Sequence, residues 1–593
     1  MKATILRRAV QLITIGTCLH LLAQQPNDAP DKLEGLWGVE QTVGPKVKGE
    51  LVIRRAGNFE NELHARIAGF DATVERKGDE VSFALPEDAG VFRGHLSLKE
   101  GTITGHWIQP PAGPYNLRYA SPVMLRSSGK DYWSGEVVPL DEPVSFYLRI
   151  QRTSVGTLIA YIRNPEANFF RRQTFNVEAK GSEVIFASNS NKLEGTYDAA
   201  SDSLTLPLLD GAPPLRLTRR NQQNASGYFP RSTPAYEYQR PADENDGWQT
   251  GSLLEAGLAE EPLEEFIRKI LNANLDENPL PIHSLLIARH GKLVLEEYFY
   301  GYDAWRPHDT RSGGKTWATV LVGVAMQQGF KIDPRTPVYP LFPQYRPFAN
   351  WDERKNKITL DDIMTMTSGL ACDDGKDDSP GNEDTMQSQT TQPDWYKYTL
   401  DLPRVSDPGG SNALYCSATL NLVGGAVGQV TGKWLPELFQ KSVATPLQIS
   451  HYYLDLMPTG EAYFGGGIYM RPRDLLKLGQ LYLNGGTWNG KRIVSDDWVD
   501  KSTRKHSQLS DPTGKEHLYG YAWHLYHYEV AGKNYTMYFA AGNGGQLVMV
   551  FPELDMVANY NGGAYGERKV FTWQAELVPG YLIPAATVAK NSK

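Results

Sequence analysis

The chain has 593 residues, of which 41% are hydrophobic and 22% are charged, and its formal net charge is −8. A chain of this length exceeds one hydrophobic core, so roughly two to four domains are expected, and the ordinary composition excludes disorder on a large scale. The negative net charge argues against a nucleic-acid partner, because such a partner requires a concentrated basic face.

The first residues have the pattern of a secretory signal. Lys2, Arg7 and Arg8 are basic, and an apolar stretch at 9–22 follows them and ends before a polar run. This pattern predicts a cleavable signal peptide over residues 1–23, and therefore a secreted or periplasmic protein. The alternative is an N-terminal membrane anchor, but the apolar stretch is short for a span of roughly 20 residues. No later segment is long and apolar enough to cross a bilayer, so we expect no transmembrane segment in the mature chain.

Residues 33–220 carry short runs of alternating polar and apolar residues that are separated by turn residues. This spacing predicts an all-β region, either a sandwich or a barrel. The region resembles an internal duplication with halves at 33–127 and 131–220, because Trp37 opens the first half and Trp133 opens the second in similar contexts. The alternative is that any two β meanders look alike at this level. Such a region could also bind a glycan or a peptide as a module of its own.

A polar, Pro-containing stretch at 221–248 has the composition of a linker. Beyond it, residues 249–593 mix the patterns of strands and helices. Two apolar runs around a Gly turn, at 284–289 and 292–296, predict a hairpin, and strand patterns return at 546–560 after several helical ones. The C-terminal part is therefore predicted to be an α/β domain with strands at both ends and helices between them.

Cys372 and Cys416 are the cysteines that remain once the signal is removed. Two cysteines in an oxidising compartment can pair, and these two flank a loop-rich insert, so a disulfide is one interpretation. Two buried free thiols are the other, because the sequence does not place their Cα atoms within bridging range.

The first motif that carries chemistry is Ser312-Gly313-Gly314-Lys315, which precedes an apolar run with the character of a buried helix. If Ser312 lies at the helix start, Lys315 follows one turn later on the same face. A serine hydroxyl becomes a nucleophile when a nearby base takes its proton, and a lysine shielded from water can be neutral enough to help. Free N–H groups at the helix start could hold an oxyanion. The alternative is an N-cap serine with a solvated lysine.

Two further motifs follow in the chain. Tyr415 and Ser417 precede another helical run, where a tyrosine beside a lysine could relay protons and the serine would add a hydroxyl to the same network. Gly542, Asn543 and Gly544 precede a strand, where small residues let a substrate approach and the N–H of Asn543 could be the second oxyanion donor. The alternatives are a packed aromatic residue and a glycine-rich bulge.

The order of these motifs resembles the serine β-lactamase-related superfamily, which includes class C β-lactamases, D-alanyl-D-alanine carboxypeptidases, esterases and 6-aminohexanoate-dimer hydrolases. A Ser-x-x-Lys at a helix start is followed about a hundred residues later by a Tyr-x-Ser, and a small, glycine-rich edge strand comes near the C-terminus. Stretches at 358–370 and 466–486 also resemble the family. The resemblance covers roughly residues 260–575.

The resemblance implies an antiparallel sheet with helices on both faces and a helical subdomain. It implies that Ser312 attacks a carbonyl, that Lys315 and Tyr415 share the general base and acid duty, and that N–H groups of Ser312 and Asn543 form the oxyanion hole. It implies no metal and no cofactor, and its partner would be a small-molecule or peptide-like ester or amide. The other substrate-binding residues would be Ser417, Gly542 and Gly544.

The chain departs from the family's pattern in two places. Gly313 and Gly314 replace larger or hydroxylated residues at a cost of about 1 kcal/mol each in helix stability, so the helix start is looser or something packs close to it. Ala540 stands where penicillin-recognising members carry the Lys or His that meets the substrate carboxylate. Ester or amide hydrolysis is therefore favoured over β-lactam hydrolysis, and a binding or sensor protein without turnover is the alternative.

Two other groups near these motifs receive a structural interpretation. His308 and Asp309 lie just before Ser312, but we interpret them as surface or turn residues because Lys315 already fills the base role. The acidic run at 373–378 is interpreted as a solvated loop, because its spacing is not that of oxygen ligands to a cation.

Overall fold

The computed structural model describes residues 32–55, 62–111, 117–171, 173–233, 235–277, 279–410, 413–511 and 514–587. The predicted signal peptide, residues 1–23, lies outside this part of the chain. Within these ranges no helix has the length and apolar character needed to span a bilayer.

The N-terminal region is all β, and its described residues form two closed antiparallel barrels of eight strands each. The first barrel contains β2 to β9 and closes where β9 pairs with both β2 and β8. The second contains β1 and β10 to β16 and closes where β1 pairs with both β10 and β16. The strands are β1 (Gly35–Val43), β2 (Gly49–Arg55), β3 (Leu63–Ile67), β4 (Phe70–Lys77), β5 (Glu80–Ala84), β6 (Val91–Ser97), β7 (Thr102–Ile108), β8 (Arg118–Gly129), β9 (Tyr132–Val137), β10 (Glu142–Arg152), β11 (Leu158–Arg163), β12 (Thr174–Lys180), β13 (Glu183–Ala187), β14 (Lys192–Asp198), β15 (Ser203–Leu206) and β16 (Leu215–Arg220).

Each barrel has its own core, because alternate residues of every strand point inward. Leu51 and Ile53 of β2 are fully buried in the first barrel, and Trp37 and Leu148 are fully buried in the second. The barrels do not coincide with the two halves proposed from the sequence. Strand β1, from the first half, belongs to the second barrel, and strand β9, from the second half, belongs to the first barrel. The domain boundaries proposed from the sequence stay predictions.

The C-terminal part mixes strands and helices. Its strands are β17 (Gln249–Thr250), β18 (Ile282–Arg289), β19 (Lys292–Tyr298), β20 (His308–Asp309), β21 (Tyr452–Leu456), β22 (Ile468–Met470), β23 (Thr487–Trp488), β24 (Lys491–Arg492), β25 (Ser507–Ser510), β26 (Glu516–Tyr519), β27 (His524–Val530), β28 (Lys533–Gly542), β29 (Gln546–Phe551) and β30 (Met556–Gly562). Its α-helices are α1 (Glu260–Leu271), α2 (Lys315–Gln327), α3 (Leu360–Met364), α4 (Glu383–Ser388), α5 (Trp395–Asp401), α6 (Ser417–Thr431), α7 (Leu435–Phe439), α8 (Pro472–Leu483), α9 (Asp496–Thr503), α10 (Val570–Leu577) and α11 (Ile583–Thr587).

A nine-stranded sheet organises this part, in the order β17-β19-β18-β30-β29-β28-β27-β26-β25, and its ladders are antiparallel apart from β17 with β19. Both faces of the sheet are covered. Leu286 and Ala288 of β18 pack into a core with α2, α6 and α8, whereas Leu285 and Ile287 pack on the other face with α1, α10 and α11. The predicted fold class, an all-β region followed by an α/β domain with helices on both faces of an antiparallel sheet, is confirmed.

A backbone ladder joins the first barrel to the C-terminal part of the chain. In β21, Leu454 pairs with Ala120 of β8, and β22 and β20 continue the same sheet beyond β21. The last strand of this extension, β20, ends three residues before Ser312. The segment that enters the nucleophile turn is therefore fixed by hydrogen bonds that continue from the first barrel.

Candidate active site

Ser312 lies in a 3₁₀ turn, Arg311–Gly314, that runs directly into helix α2. Lys315 is the first residue of the helix, and the spacing of three places its side chain over Ser312. The Lys315 Nζ atom donates a hydrogen bond to Ser312 Oγ over 2.8 Å. The structure thus brings together the two residues that the sequence predicts to act as nucleophile and partner.

The two glycines between Ser312 and Lys315 have different surroundings. A Cβ atom on Gly314 would lie 3.1 Å from both the Gly466 carbonyl oxygen and Thr310 Oγ1, which is tighter than ordinary side-chain contact. A Cβ atom on Gly313 would meet nothing closer than a backbone atom of Ala541 at 3.8 Å. Close packing therefore accounts for Gly314 but leaves Gly313 without a steric explanation.

Lys315 is only 1% exposed, yet its surroundings favour the charged form. Burial alone would lower the pKa of Lys315, but the charges of Tyr415, Glu383 and Asp374 together raise it above its ordinary value. The ammonium lies 5.0 Å from the centre of the Tyr415 ring. These charges favour the ammonium form of Lys315. The predicted sharing of base and acid duty between Lys315 and Tyr415 stays a prediction.

The carboxylates belong to a set of residues that we call the polar pocket: Lys315, Asp374, Glu383, Ser417 and Tyr463. The Ser417 N–H donates to Asp374 Oδ2 over 2.7 Å, and Ser417 Oγ lies 2.6 Å from that oxygen and 3.1 Å from Glu383 Oε2. Tyr463 Oη donates to Glu383 Oε1 over 2.5 Å. The predicted Ser417 hydroxyl therefore joins a hydrogen-bonded network, but its observed partners are carboxylates, and its role in substrate binding stays a prediction.

The interpretation of the acidic run at 373–378 as a solvated loop is wrong for Asp374. Residues 375–378 are exposed, whereas the Asp374 side chain turns inward, and burial together with Glu383 raises its pKa to about 6. A disulfide joins Cys372 to Cys416, with Cα atoms 5.5 Å apart, and the Asp374 N–H donates to the Tyr415 carbonyl over 2.9 Å. Asp374 is two residues from Cys372, and Ser417 is next to Cys416. The possible Cys372–Cys416 disulfide was therefore the one sequence signal from which the contact of Asp374 with Ser417 could have been predicted.

Tyr415 is partly exposed and lies near a ring that sequence reasoning missed. Its ring is stacked on His524 at a centroid distance of 6.3 Å. The His524 Nδ1 atom lies 2.8 Å from His517 Nε2. Burial, His517 and Lys315 hold the pKa of His524 well below its ordinary value, so this imidazole is neutral beside the tyrosine.

The sequence predicts an edge strand before Asn543, but β28 lies inside the sheet between β27 and β29. It ends at Gly542, directly against the Ser312 turn. A Cβ atom on Gly542 would lie 2.2 Å from the Thr310 carbonyl, and one on Gly544 would lie 2.6 Å from the Tyr565 ring. Both glycines therefore allow close packing of the strand end. Their predicted contact with substrate stays a prediction.

Asn543 is exposed in the turn between β28 and β29. Its side-chain oxygen accepts from the Gly566 N–H over 2.9 Å, and its carbonyl accepts from Gln546 Nε2 over 3.3 Å. Among the described residues, no hydrogen bond uses the Asn543 N–H outside the strands and helices. This donor is thus placed at the strand end that packs against the Ser312 turn, as an oxyanion donor requires.

The structure corrects the interpretation of His308. This residue is 2% exposed, not on the surface, and its Nε2 atom lies 2.9 Å from Nδ1 of His283. Burial lowers the pKa of His308 to about 3, so the imidazole is neutral. Asp309, its neighbour, pairs with Arg311 over 2.8 Å. Both residues support the segment that enters the nucleophile turn.

Ala540 is buried in β28, opposite Val548 of β29, and it contributes only a methyl group at this position. The described residues contain no group of three or more His, Cys, Asp or Glu side chains that could hold a metal ion. The arrangement consists of a hydroxyl, an ammonium, a phenol and a free backbone N–H, which is suited to acyl transfer without a metal.

Comparison with known proteins identifies a family for most of the C-terminal part of the chain. Residues 267–562 match the family model described as Beta-lactamase. The chain is 24% identical over 222 residues to the 6-aminohexanoate-dimer hydrolase of Paenarthrobacter ureafaciens, which covers 37% of this chain and 56% of that protein. The match thus spans little more than half of the length of the curated relative.

Two solved structures are also similar to part of the chain. A family VIII carboxylesterase is 18% identical, with a TM-score of 0.42, and the match covers 59% of this chain and 100% of that one. Simvastatin synthase (LovD) from Aspergillus terreus is 16% identical, with a TM-score of 0.42, and the match covers 53% of this chain and 94% of that one.

Proposed function

Because residues 267–562 of the chain belong to the beta-lactamase family, we propose that the protein is a serine hydrolase that forms an acyl-enzyme on Ser312. The observation that carries the proposal is the 2.8 Å hydrogen bond from Lys315 Nζ to Ser312 Oγ at the start of a buried helix. The substrate is an ester or an amide. The N-terminal pattern of residues 1–23 supports a secreted or periplasmic location.

The charge on Lys315 decides which group accepts the first proton. An ammonium has no lone pair, so it can donate to Ser312 Oγ but cannot take its proton. Tyr415, whose ring centre lies 5.0 Å from the ammonium, is then the proposed acceptor, and for its oxygen to take the proton it must enter this step as a phenolate facing that ammonium. As Oγ bonds to the carbonyl carbon, its proton passes to the Tyr415 oxygen and later to the leaving alcohol or amine. Water attacks the acyl-enzyme in the second half, the Tyr415 phenolate takes the proton of the water, and this proton passes to Ser312 Oγ as the acid product is released.

Negative charge develops on the carbonyl oxygen during both attacks. The Ser312 N–H at the helix start and the Asn543 N–H at the end of β28 are the proposed donors to this oxyanion. The close contact of Gly542 with the Thr310 carbonyl supports the assignment, because it holds the strand end against the nucleophile turn. Removing a donor of this kind usually costs roughly 10²–10³-fold in kcat.

The preference for esters and amides over β-lactams is supported by Ala540. A buried methyl group cannot supply the cation that would bind a substrate carboxylate at this position. Hydrolysis of p-nitrophenyl butyrate is therefore expected, and turnover of a cephalosporin at a comparable rate would overturn the preference.

Labelling with a fluorophosphonate tests the nucleophile directly. We expect the wild type to be labelled once per chain and Ser312→Ala to be neither labelled nor active on p-nitrophenyl butyrate. Ser450→Ala, at an exposed serine away from the pocket, is the matched control and should behave as the wild type. Equal labelling of Ser312→Ala, or no labelling of the folded wild type, would overturn the proposal in favour of a binding protein without turnover.

A further inference from the structure

A cavity of about 1170 Å³ opens at one end of the second barrel, where the barrel faces the catalytic domain. On the barrel side its walls lie at or just beyond the ends of β1, β10, β11, β14, β15 and β16, so we call it the barrel mouth. On the other side lie Tyr469, Tyr565 and the loop before the nucleophile. Ser312 itself does not line the cavity, but Arg311, the residue before it, does.

Contacts across the cavity fix the barrel to the segments that flank the nucleophile. Asn168, in the loop after β11, donates to the Tyr565 carbonyl over 2.9 Å. In the same loop, the Arg171 guanidinium packs so closely on Gly566 that a Cβ atom there would lie 2.8 Å from it. The N–H of Gly566 in turn donates to the side chain of Asn543. The barrel therefore contacts the loop at Tyr565 and Gly566, and this loop in turn holds the side chain of Asn543, the proposed oxyanion donor.

On the side of the cavity formed by the catalytic domain, the charged side chains already form ion pairs within the protein. Arg306 forms an ion pair with Glu166 of the barrel over 3.1 Å, and Arg311 pairs with Asp309 over 2.8 Å. These pairs make an additional charge on a ligand unnecessary. The surface that this side of the cavity leaves open for a ligand is therefore mainly that of its aromatic rings, Tyr469 and Tyr565.

Apolar side chains are left partly uncovered at the barrel mouth. Phe169 is 38% exposed and Val43 is 44% exposed, and both line the cavity. Leu209, Pro213 and Tyr469 add further apolar surface around them. Exposed apolar surface of this kind gains free energy when a ligand covers it, and the mouths of β-barrels are common ligand sites.

We propose that the barrel mouth binds the apolar part of the substrate, an alkyl chain or aromatic ring attached to the carbonyl that Ser312 attacks. The inference rests on the proposed function, because it assigns a substrate class to the same nucleophile. The volume of the barrel mouth exceeds the range of roughly 300–1,000 Å³ that holds drug-sized ligands, so a short acyl group would leave the barrel mouth largely empty. The second barrel is then part of the active site rather than a separate module.

Two series of esters test this inference and distinguish the two halves of a substrate. One series is p-nitrophenyl esters from acetate to decanoate, and the other is acetate esters of alcohols of increasing length. We expect kcat/KM to rise by about two- to fourfold per added methylene in one of the series, mainly through KM. The series that responds identifies whether the acyl group or the leaving group lies in the barrel mouth. A flat response in both series would overturn the inference.

A matched pair of variants locates the effect. Val43 lines the barrel mouth, whereas Val155 is 82% exposed in the hairpin between β10 and β11, at the opposite end of the same barrel. Val43→Glu should lower kcat/KM for the long substrate by about tenfold and leave the short one within twofold, and Val155→Glu should change neither. Phe169→Ala is a second variant in case Val43→Glu does not fold. Equal effects of Val43→Glu and Val155→Glu would overturn the inference.

Equilibrium binding separates failure of this inference from failure of the proposed function. Decanoate carries the apolar chain without a scissile bond, and its binding to Ser312→Ala can be measured by titration calorimetry. If Ser312→Ala keeps full hydrolytic activity, the proposed function fails, yet the barrel mouth is still tested. Decanoate should bind to Ser312→Ala and bind at least tenfold more weakly to the double variant Ser312→Ala/Val43→Glu. Equal binding to both would overturn the inference.

Discussion

The polar pocket and the barrel mouth meet at the Ser312 turn, and they are built in opposite ways. The polar pocket is closed, with Lys315 and Ser417 almost completely buried and bonded to carboxylates or to the nucleophile. The barrel mouth is open, and large apolar residues such as Phe169 remain exposed in it. Under the proposed function we expect the polar pocket to set the rate of the chemical step and the barrel mouth to set the affinity for substrate.

The two regions are also formed by different parts of the chain. The polar pocket comes from the catalytic domain, whereas the barrel mouth needs both that domain and the second barrel. The first barrel, although it has the same number of strands, joins the catalytic domain through the ladder between β8 and β21. Two barrels with the same number of strands thus contact the C-terminal domain in different ways, one through a backbone ladder and the other through the walls of a cavity.

Removing the charge of Lys315 should have the largest effect and should separate the two regions most clearly. Lys315→Met keeps the length of the side chain but loses the donor to Ser312 Oγ and the positive charge near Tyr415. We expect kcat for p-nitrophenyl butyrate to fall by about 10³-fold or more, with decanoate binding unchanged. Lys331→Met, at an exposed lysine, is the control. A loss below tenfold, or a parallel loss of decanoate binding, would contradict the expected division between rate and affinity.

Neutralising Asp374 should have the next largest effect and should appear in the pH profile. As pH falls through about 6, Asp374 becomes protonated and no longer favours the Lys315 ammonium, so activity should fall. Asp374→Asn keeps an acceptor for the Ser417 N–H but removes the charge. We expect about 10- to 100-fold lower kcat at pH 8 and loss of the acid limb near pH 6.

Stability offers a second measurement on the same variant. The folded pKa of Asp374 is raised above its unfolded value, so the folded state binds the proton more tightly, and this group stabilises the fold as pH falls from about 6 towards 4. That contribution should be absent in Asp374→Asn, as measured by urea unfolding at several pH values. Asp377→Asn, at an exposed position on the same loop, should retain both the limb and the stability change. If the acid limb of the pH–activity profile near pH 6 is unaltered in Asp374→Asn, that limb reports the titration of another group.

The nucleophile motif was predictable because helix geometry fixes it. Three residues separate Ser312 from Lys315, and this spacing brings their side chains together in any helix start. Alternation of polar and apolar residues likewise predicted an all-β region. It could not distinguish a sandwich from a barrel, because barrel closure depends on pairs between distant strands, such as Leu36 with Arg220.

The polar pocket was the part that sequence reasoning could not assemble. Asp374 lies in a run of acidic residues with the composition of a solvated loop, and Glu383 belongs to no motif. Only the tertiary path of the chain, held by the Cys372–Cys416 disulfide, brings Asp374 to Ser417. Burial alone would lower the pKa of Lys315, and the charges of Tyr415, Glu383 and Asp374 raise it instead, which the local sequence around Lys315 does not reveal.

The smallest expected effects come from the two glycines of the nucleophile turn. The added methyl group of Gly313→Ala makes only ordinary contact with the Ala541 backbone at 3.8 Å and gains helix propensity, so stability should stay equal or rise by up to about 1 kcal/mol. Gly314→Ala must displace the Gly466 carbonyl or the Thr310 hydroxyl, which should outweigh the same gain and lower stability by about 1 kcal/mol. Urea unfolding of the two variants side by side measures the difference, because the added methyl group is identical and only its neighbours differ. Equal changes in the free energy of unfolding of both variants would mean that Gly466 and Thr310 can move away from the methyl group at no cost. The Ser312 turn would then be less tightly packed than the closed polar pocket beside it.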